Sequence, residues 1–149
     1  MKLISSVVFA GGFAVLLSAH ADPAEDAAKA LAKKAAAHVR SVGSEKACAD
    51  FASPTGGFME KEMYVFVETD DLKMVCHAEN PRLNGKDLSD IKDSDGVNFS
   101  KKMAEASKSG GGWVHFKWPH PETKVIEAKT SYIEPVGNGS HVGAGVYRK

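Results

Sequence analysis

Trp113–Pro119, WVHFKWP, decides how this chain reads, because it holds both tryptophans of the protein within seven residues. It follows Gly110–Gly111–Gly112 and ends at a proline, which has no N–H to carry a sheet ladder onward. Alternation puts Trp113, His115 and Lys117 on one face of a strand and Val114, Phe116 and Trp118 on the other. Polar heads opposite large apolar groups suit a sheet that covers a core and also lines a cleft.

Downstream, His120–Pro121–Glu122–Thr123 turns the chain into a strand over Ala128–Val136. Asn138–Gly139 is a tight-hairpin signal into a last strand, His141–Tyr147. Upstream, Asn98 or Ser100 starts a short helix through Ser107, with Phe99, Met103 and Ala106 spaced to face inward. Before it lies a polar stretch, Glu79–Gly96, punctuated by Asn80–Pro81, Asn84–Gly85 and Asp95–Gly96. Met63–Thr69 and Leu72–Ala78 are β-branched and aromatic runs joined by Asp70–Asp71, which reads as a hairpin. A long helix opens the fold: Asp22 as N-cap, Pro23 at the first turn, then an Ala-rich run to Val42. Leu31, Ala35, His38, Val39 and Val42 form its apolar stripe. Gly43 interrupts it, and Ser44 caps a continuation to Phe51. The fold class is α+β: an antiparallel sheet of about five strands, helices on one face or at its edge, and a small helix between the second and third strands.

Met1 and Lys2 precede an apolar run, Leu3–Ala19, which closes on Ala19–His20–Ala21. This is the pattern of a secretory signal peptide over residues 1–21, cleaved after Ala21. The remaining 22–149, roughly 128 residues, suffice for one core and one domain. Net formal charge is zero for the whole chain and near minus one without Lys2. No basic excess is available to neutralise phosphates, so no nucleic-acid partner is expected. Cys48 lies in a helical context and Cys76 in a strand. In an oxidising compartment they could pair, but two separately buried thiols are the preferred reading.

Chemistry is sparse. The histidines and cysteines give no cluster with zinc spacing, and Asp93–Ser94–Asp95–Gly96 lacks the rest of a calcium loop, so no metal and no cofactor are expected. There is no G-x-S-x-G elbow and no phosphate loop, and no catalytic residue is assigned. What remains is a wall of strand residues: Tyr64, His77, Trp113, His115, Lys117, Trp118, Lys129 and Tyr132. Lys, His and Tyr donors within an apolar shell are what a small pocket needs to bind a carboxylate.

The ordered set YVFVETDDLKMVCHAENPRLNGKDL, DSDG, GGGWVHFKWPHPETK, KTSYIEPV and VGAGVY resembles the single Cache domain family, of the Cache_2 type. The resemblance runs from the N-terminal helix to Tyr147. It implies a PAS-like antiparallel sheet and an extracytoplasmic sensor module that binds a small molecule, often a short carboxylate, without catalysis. Tyr64, His77, Trp113, Lys117, Trp118, Lys129 and Tyr132 are the pocket residues it implies; Lys117 and Trp118 point to opposite sides, so only one should face the ligand. Family sensors usually carry a second membrane helix and an output domain, whereas this sequence stops at Lys149. The expectation is therefore a free periplasmic or secreted binder acting through a separate membrane receptor, histidine kinase or transporter. A homodimer through the N-terminal helix is a further expectation. The alternative is a structural or interaction domain with the same fold and no ligand.

Overall fold

The computed structural model describes residues 22–148; the expected signal peptide lies outside the described residues. Helix α1, Pro23–Val42, starts where the Asp22 carboxylate accepts the Ala24 N–H at 3.0 Å, with Glu25 and Asp26 favourably placed against the helix dipole. Its buried face is Ala28, Ala32, Ala35, Ala36 and Val39. This is rotated from the stripe expected through Leu31, His38 and Val42: Val42 is exposed and Leu31 only partly buried. Alanines bring the helix backbone close to the sheet, and that close approach outweighs the larger side chains in setting the face. Gly43, at φ 82°, then redirects the chain into α2, Ser44–Ala52.

Six antiparallel strands follow: β1 Met59–Glu60, β2 Met63–Thr69, β3 Met74–His77, β4 Gly112–Pro119, β5 Ile126–Pro135 and β6 Ser140–Arg148. Their order is β1-β2-β6-β5-β4, with β3 also paired to β2. The strand beyond the expected five is the two-residue β1. Helix α3, Phe99–Lys108, fills the β3–β4 connection and is capped by Asn98, whose side chain accepts the Lys101 N–H at 3.0 Å.

Helices cover both faces of the sheet, not one. On one side Val65, Val67, Tyr132, Val142 and Ala144 meet α1 and α2. On the other, Tyr64, Phe66, Val114, Phe116, Ile133 and Tyr147 meet Phe99 and Met103 of α3 and Leu88 of the preceding loop. The inward spacing of Phe99 and Met103 required such a partner surface, and only the second face was free to supply it. Gly143 lets the Phe66 ring lie directly on β6, since a Cβ there would stand 2.1 Å from Cζ of the ring.

Cys48 and Cys76 are joined by a disulfide, with Cα atoms 5.9 Å apart, which corrects the expectation of two separate thiols. Their sequence contexts, one helical and one extended, gave no sign of contact; α2 packs against β3 and brings them together. The bridge closes a loop of 28-residue separation, which in the chain-entropy model stabilises by about 3–4 kcal/mol. Reduction, or the Cys48→Ala/Cys76→Ala pair, is expected to lower the unfolding free energy by about that much. Urea unfolding with and without reductant checks this, and an unchanged midpoint would contradict it.

Candidate functional site

Between the second sheet face and α3 lies a small cavity. Phe66, Phe99, Phe116 and Trp118 form its aromatic walls, Met74 and Met103 its flexible ones, and Glu68, His77 and Lys129 its polar points. Its free volume is ≈ 10 Å³, about what one water needs. Tyr64, His77 and Trp118 separate it from a wider outer cleft of ≈ 280 Å³, which Arg82, Lys124 and Glu79 also border.

Lys129 is 2% exposed. It stands opposite Tyr147 across the β5–β6 pair, on the same face of the sheet, and its Nζ lies 3.8 Å from the centre of the Tyr64 ring, 5.0 Å from Tyr147 and 5.9 Å from Phe66. Those rings present their negative faces to it. Among the described residues no carboxylate lies within ion-pair distance. Burial therefore pulls its pKa well below the usual lysine range, opposed only by the more distant charge of Glu79.

The neighbouring donors are fixed by their own bonds. His77 Nδ1 accepts the Asn80 N–H at 2.9 Å. Burial, helped by Lys129, pushes the ring down to about 3, so it is neutral at pH 7 and its proton sits on Nε2 as a donor. Tyr147 donates its hydroxyl to the Pro119 carbonyl at 2.9 Å, so in the 3.0 Å contact between the two hydroxyls Tyr64 donates to Tyr147. Burial pushes Tyr147 up to about 12 and Tyr64 higher still. At the other end, Glu68 is 1% exposed, and burial raises its carboxyl to about 7. The Ser100 hydroxyl is near enough to pull that value down but makes no hydrogen bond.

Four of the expected pocket residues meet here: Tyr64, His77, Trp118 and Lys129. The other three do not. Trp113 and Tyr132 point to the α1 side, 5.1 Å apart edge to face, with Lys29 Nζ over the Tyr132 ring. Lys117 turns outward and pairs with Asp95 at 3.0 Å. Strand alternation accounts for each of these placements. His115 likewise leaves the cavity and contacts Thr130 Oγ1 at 2.9 Å. Asp93 accepts the N–H groups of Asp95, Val97 and Lys117, which makes the DSDG stretch a structural turn. Phe66, Glu68, Met74, Phe99, Met103 and Phe116 were not expected at the site. Phe66 and Glu68 were signalled by sharing a face with Tyr64, and Phe99 and Met103 by their inward spacing.

The match to known proteins follows this architecture. A family model described as Cache domain covers residues 17–149. The chain belongs to the Cache domain family. The methyl-accepting chemotaxis protein McpP of Pseudomonas putida is 42% identical over 77 residues, 50% of this chain and 14% of that protein. A periplasmic sensor domain of a chemotaxis protein superposes with a TM-score of 0.67 at 25% identity, covering 83% of this chain and 90% of the other. A Cache chemosensory domain described for carboxylic acid recognition gives 0.66 at 28% identity, over 83% and 88%. Cache domains of this kind are extracytoplasmic sensor modules, and no helix among the described residues is long and apolar enough to cross a membrane.

Glu68 gives this Cache domain a pH signature. The folded carboxyl keeps its proton to about pH 7, while the unfolded one loses it near its ordinary 4.5. Between those values the native state binds more protons than the unfolded one, so this group's contribution weakens as pH rises, by about 3 kcal/mol in all. Glu68→Gln cannot ionise and escapes that loss. Urea unfolding at pH 4.5 and 7.5 is expected to show the variant gaining on the parent by about 3 kcal/mol; a pH-independent difference would contradict the assignment.

Proposed function

We propose that this domain is a periplasmic ligand-sensing module that reversibly binds a short organic carboxylate, with Lys129 as its anion-binding group. The observation that carries the reading is a fully buried amine, without an acidic partner among the described residues and held over three aromatic faces. An isolated buried charge is costly, and a carboxylate that enters with its own charge and acceptors removes that cost. His77 Nε2–H stands beside it as a second donor, and Trp118, Phe99 and Phe116 supply the apolar shell. The carboxylic-acid-binding relative supports the same ligand class.

The cavity has a free volume of only ≈ 10 Å³, so a ligand has to move its walls. Met74 and Met103 are unbranched and can repack, and the outer cleft bordered by Tyr64, His77 and Trp118 is the route in. Residues 1–21 are read as a cleaved export signal, and the output as passing to a separate membrane receptor, kinase or transporter. Recognition without turnover fits the kinship with chemoreceptor sensor domains.

A thermal-shift series with acetate, propionate, pyruvate and lactate tests the proposal. At least one acid is expected to raise the melting temperature by several degrees at about 100 times its Kd, which corresponds to about 2.7 kcal/mol. Lys129→Met should weaken that acid at least ~100-fold while leaving the unliganded protein as stable or more so, because the unpaired amine is gone. If no acid stabilises the parent, or if the variant binds equally well, the reading falls and a ligand-free structural domain takes its place.

A further inference from the structure

Of the buried side-chain atoms without a hydrogen-bond partner among the described residues, three gather around one carboxyl on the α3 side of the sheet. They are Glu68 Oε2, His141 Nε2 and Ser100 Oγ. Glu68 is 1% exposed, and Ser100 and His141 are 0% exposed. They come from three elements, β2, β6 and α3. Glu68 and His141 are cross-strand partners with Oε2 and Nε2 3.8 Å apart, too far for a hydrogen bond. His141 donates its Nδ1–H to Asp70 Oδ1 at 2.9 Å, which leaves Nε2 of the neutral ring as an acceptor. Buried polar atoms are seldom left unpaired, and three around one point call for a small polar group between them.

Of the three residues Glu68 lines the cavity, as do His77 and Lys129, while His141 and Ser100 stand against its carboxyl from behind. The amine of Lys129 sits over Tyr64, and Glu68 lies four residues further along the same face of β2. At about 3.4 Å per residue that is roughly 13 Å of strand, with the Phe66 ring between the two poles. The walls between them are aromatic or methionine.

We propose that Glu68, with His141 and Ser100 directly behind it, forms a second recognition point at the cavity's edge, reading a hydroxyl on the ligand's carbon chain remote from its carboxylate. This rests on Lys129 holding the carboxylate. A hydroxyl can donate to Glu68 or His141 and accept from Ser100, whereas a methyl group would leave all three unpaired. An ammonium group suits the point less well, because burial keeps Glu68 close to neutral. A hydroxyl next to the carboxylate would lie at the Lys129 end and could not reach it.

Isothermal titration with butyrate, 2-hydroxybutyrate, 4-hydroxybutyrate and 4-aminobutyrate tests this. The expected result is that 4-hydroxybutyrate binds at least ~10-fold tighter than butyrate, since a site built to hydrogen-bond a hydroxyl rejects the analogue lacking it. The 2-hydroxy and 4-amino acids should show no such gain. Glu68→Met should erase the preference for 4-hydroxybutyrate over butyrate. Should that variant fail to fold, Ser100→Ala, a small change on α3, is expected to cut the preference. Equal binding of butyrate and 4-hydroxybutyrate, with both bound, overturns the second recognition point alone and marks the three atoms as a site for internal water. A gain with the 4-amino acid instead overturns the hydroxyl assignment. Absence of binding by all four acids, together with no response to the shorter acids, removes the Lys129 reading and this one with it.

Discussion

The central strands of this domain are covered on both faces, and that constraint governs everything else in the fold. β2 runs between the α1–α2 layer and α3, so each of its residues must suit one of two closed environments. Val65 and Val67 take the helix-packed side, where close approach of the α1 alanines suits compact aliphatic groups on this strand. Tyr64, Phe66 and Glu68 take the other, where α3 is shorter and the space is larger and more irregular. β6 shows the same division, with Val142 and Ala144 on one side and Gly143, Gly145 and Tyr147 on the other. Its glycines are what let the rings and polar heads of neighbouring strands lie flat against it. A one-residue slip in either strand would exchange the two environments, so the register of the sheet and the chemistry of the cavity are a single specification.

Strand existence was legible in the sequence because β-branched and aromatic runs were bounded by strong turn signals. Asn138–Gly139 and the proline at the end of WVHFKWP set the last three strands to within two residues. The membership of the cavity was only half legible. Alternation sorts residues within one strand, but it does not say which face of one strand meets which face of the next. Trp113 and Tyr132 look as suitable for a binding wall as Trp118 and Tyr64, and only the cross-strand register separates them. Glu68 was hidden for a different reason. An acidic residue near a strand end beside Thr69 and Asp70 reads as the start of a solvated turn, yet Asp70 occupies the turn while Glu68 stays inside.

The disulfide was hidden because it depends on helix placement. Nothing in KACADF or MVCHA brings those segments together, and their contact follows from α2 folding back over β3 after the turn at Gly43. That bridge has a consequence for the site. Cys76 points to the helix layer, and its neighbour His77 points to the cavity on the opposite face. Anchoring one side of β3 through a covalent bond fixes the other side as well, since adjacent residues of a strand share one backbone. His77 then keeps the position in which the Asn80 N–H holds its Nδ1 and its ring borders the cavity.

The two polar ends of the cavity differ in how their cost is offset. At Lys129 the aromatic faces compensate part of the charge, and the rest is met by lowering the affinity of the amine for its proton. At Glu68 the same desolvation acts with opposite sign on the acid, which holds its proton longer. Both groups are thus driven towards neutrality, and the walls pack around them to leave a free volume of ≈ 10 Å³. A packed interior of aliphatic residues would be more stable than this arrangement. Retaining a lysine and a glutamate in an interior that could have been apolar makes sense if a ligand regularly supplies what they lack. A sensor needs such a difference, because ligand can shift a conformational balance only by the free energy with which it distinguishes one state from another.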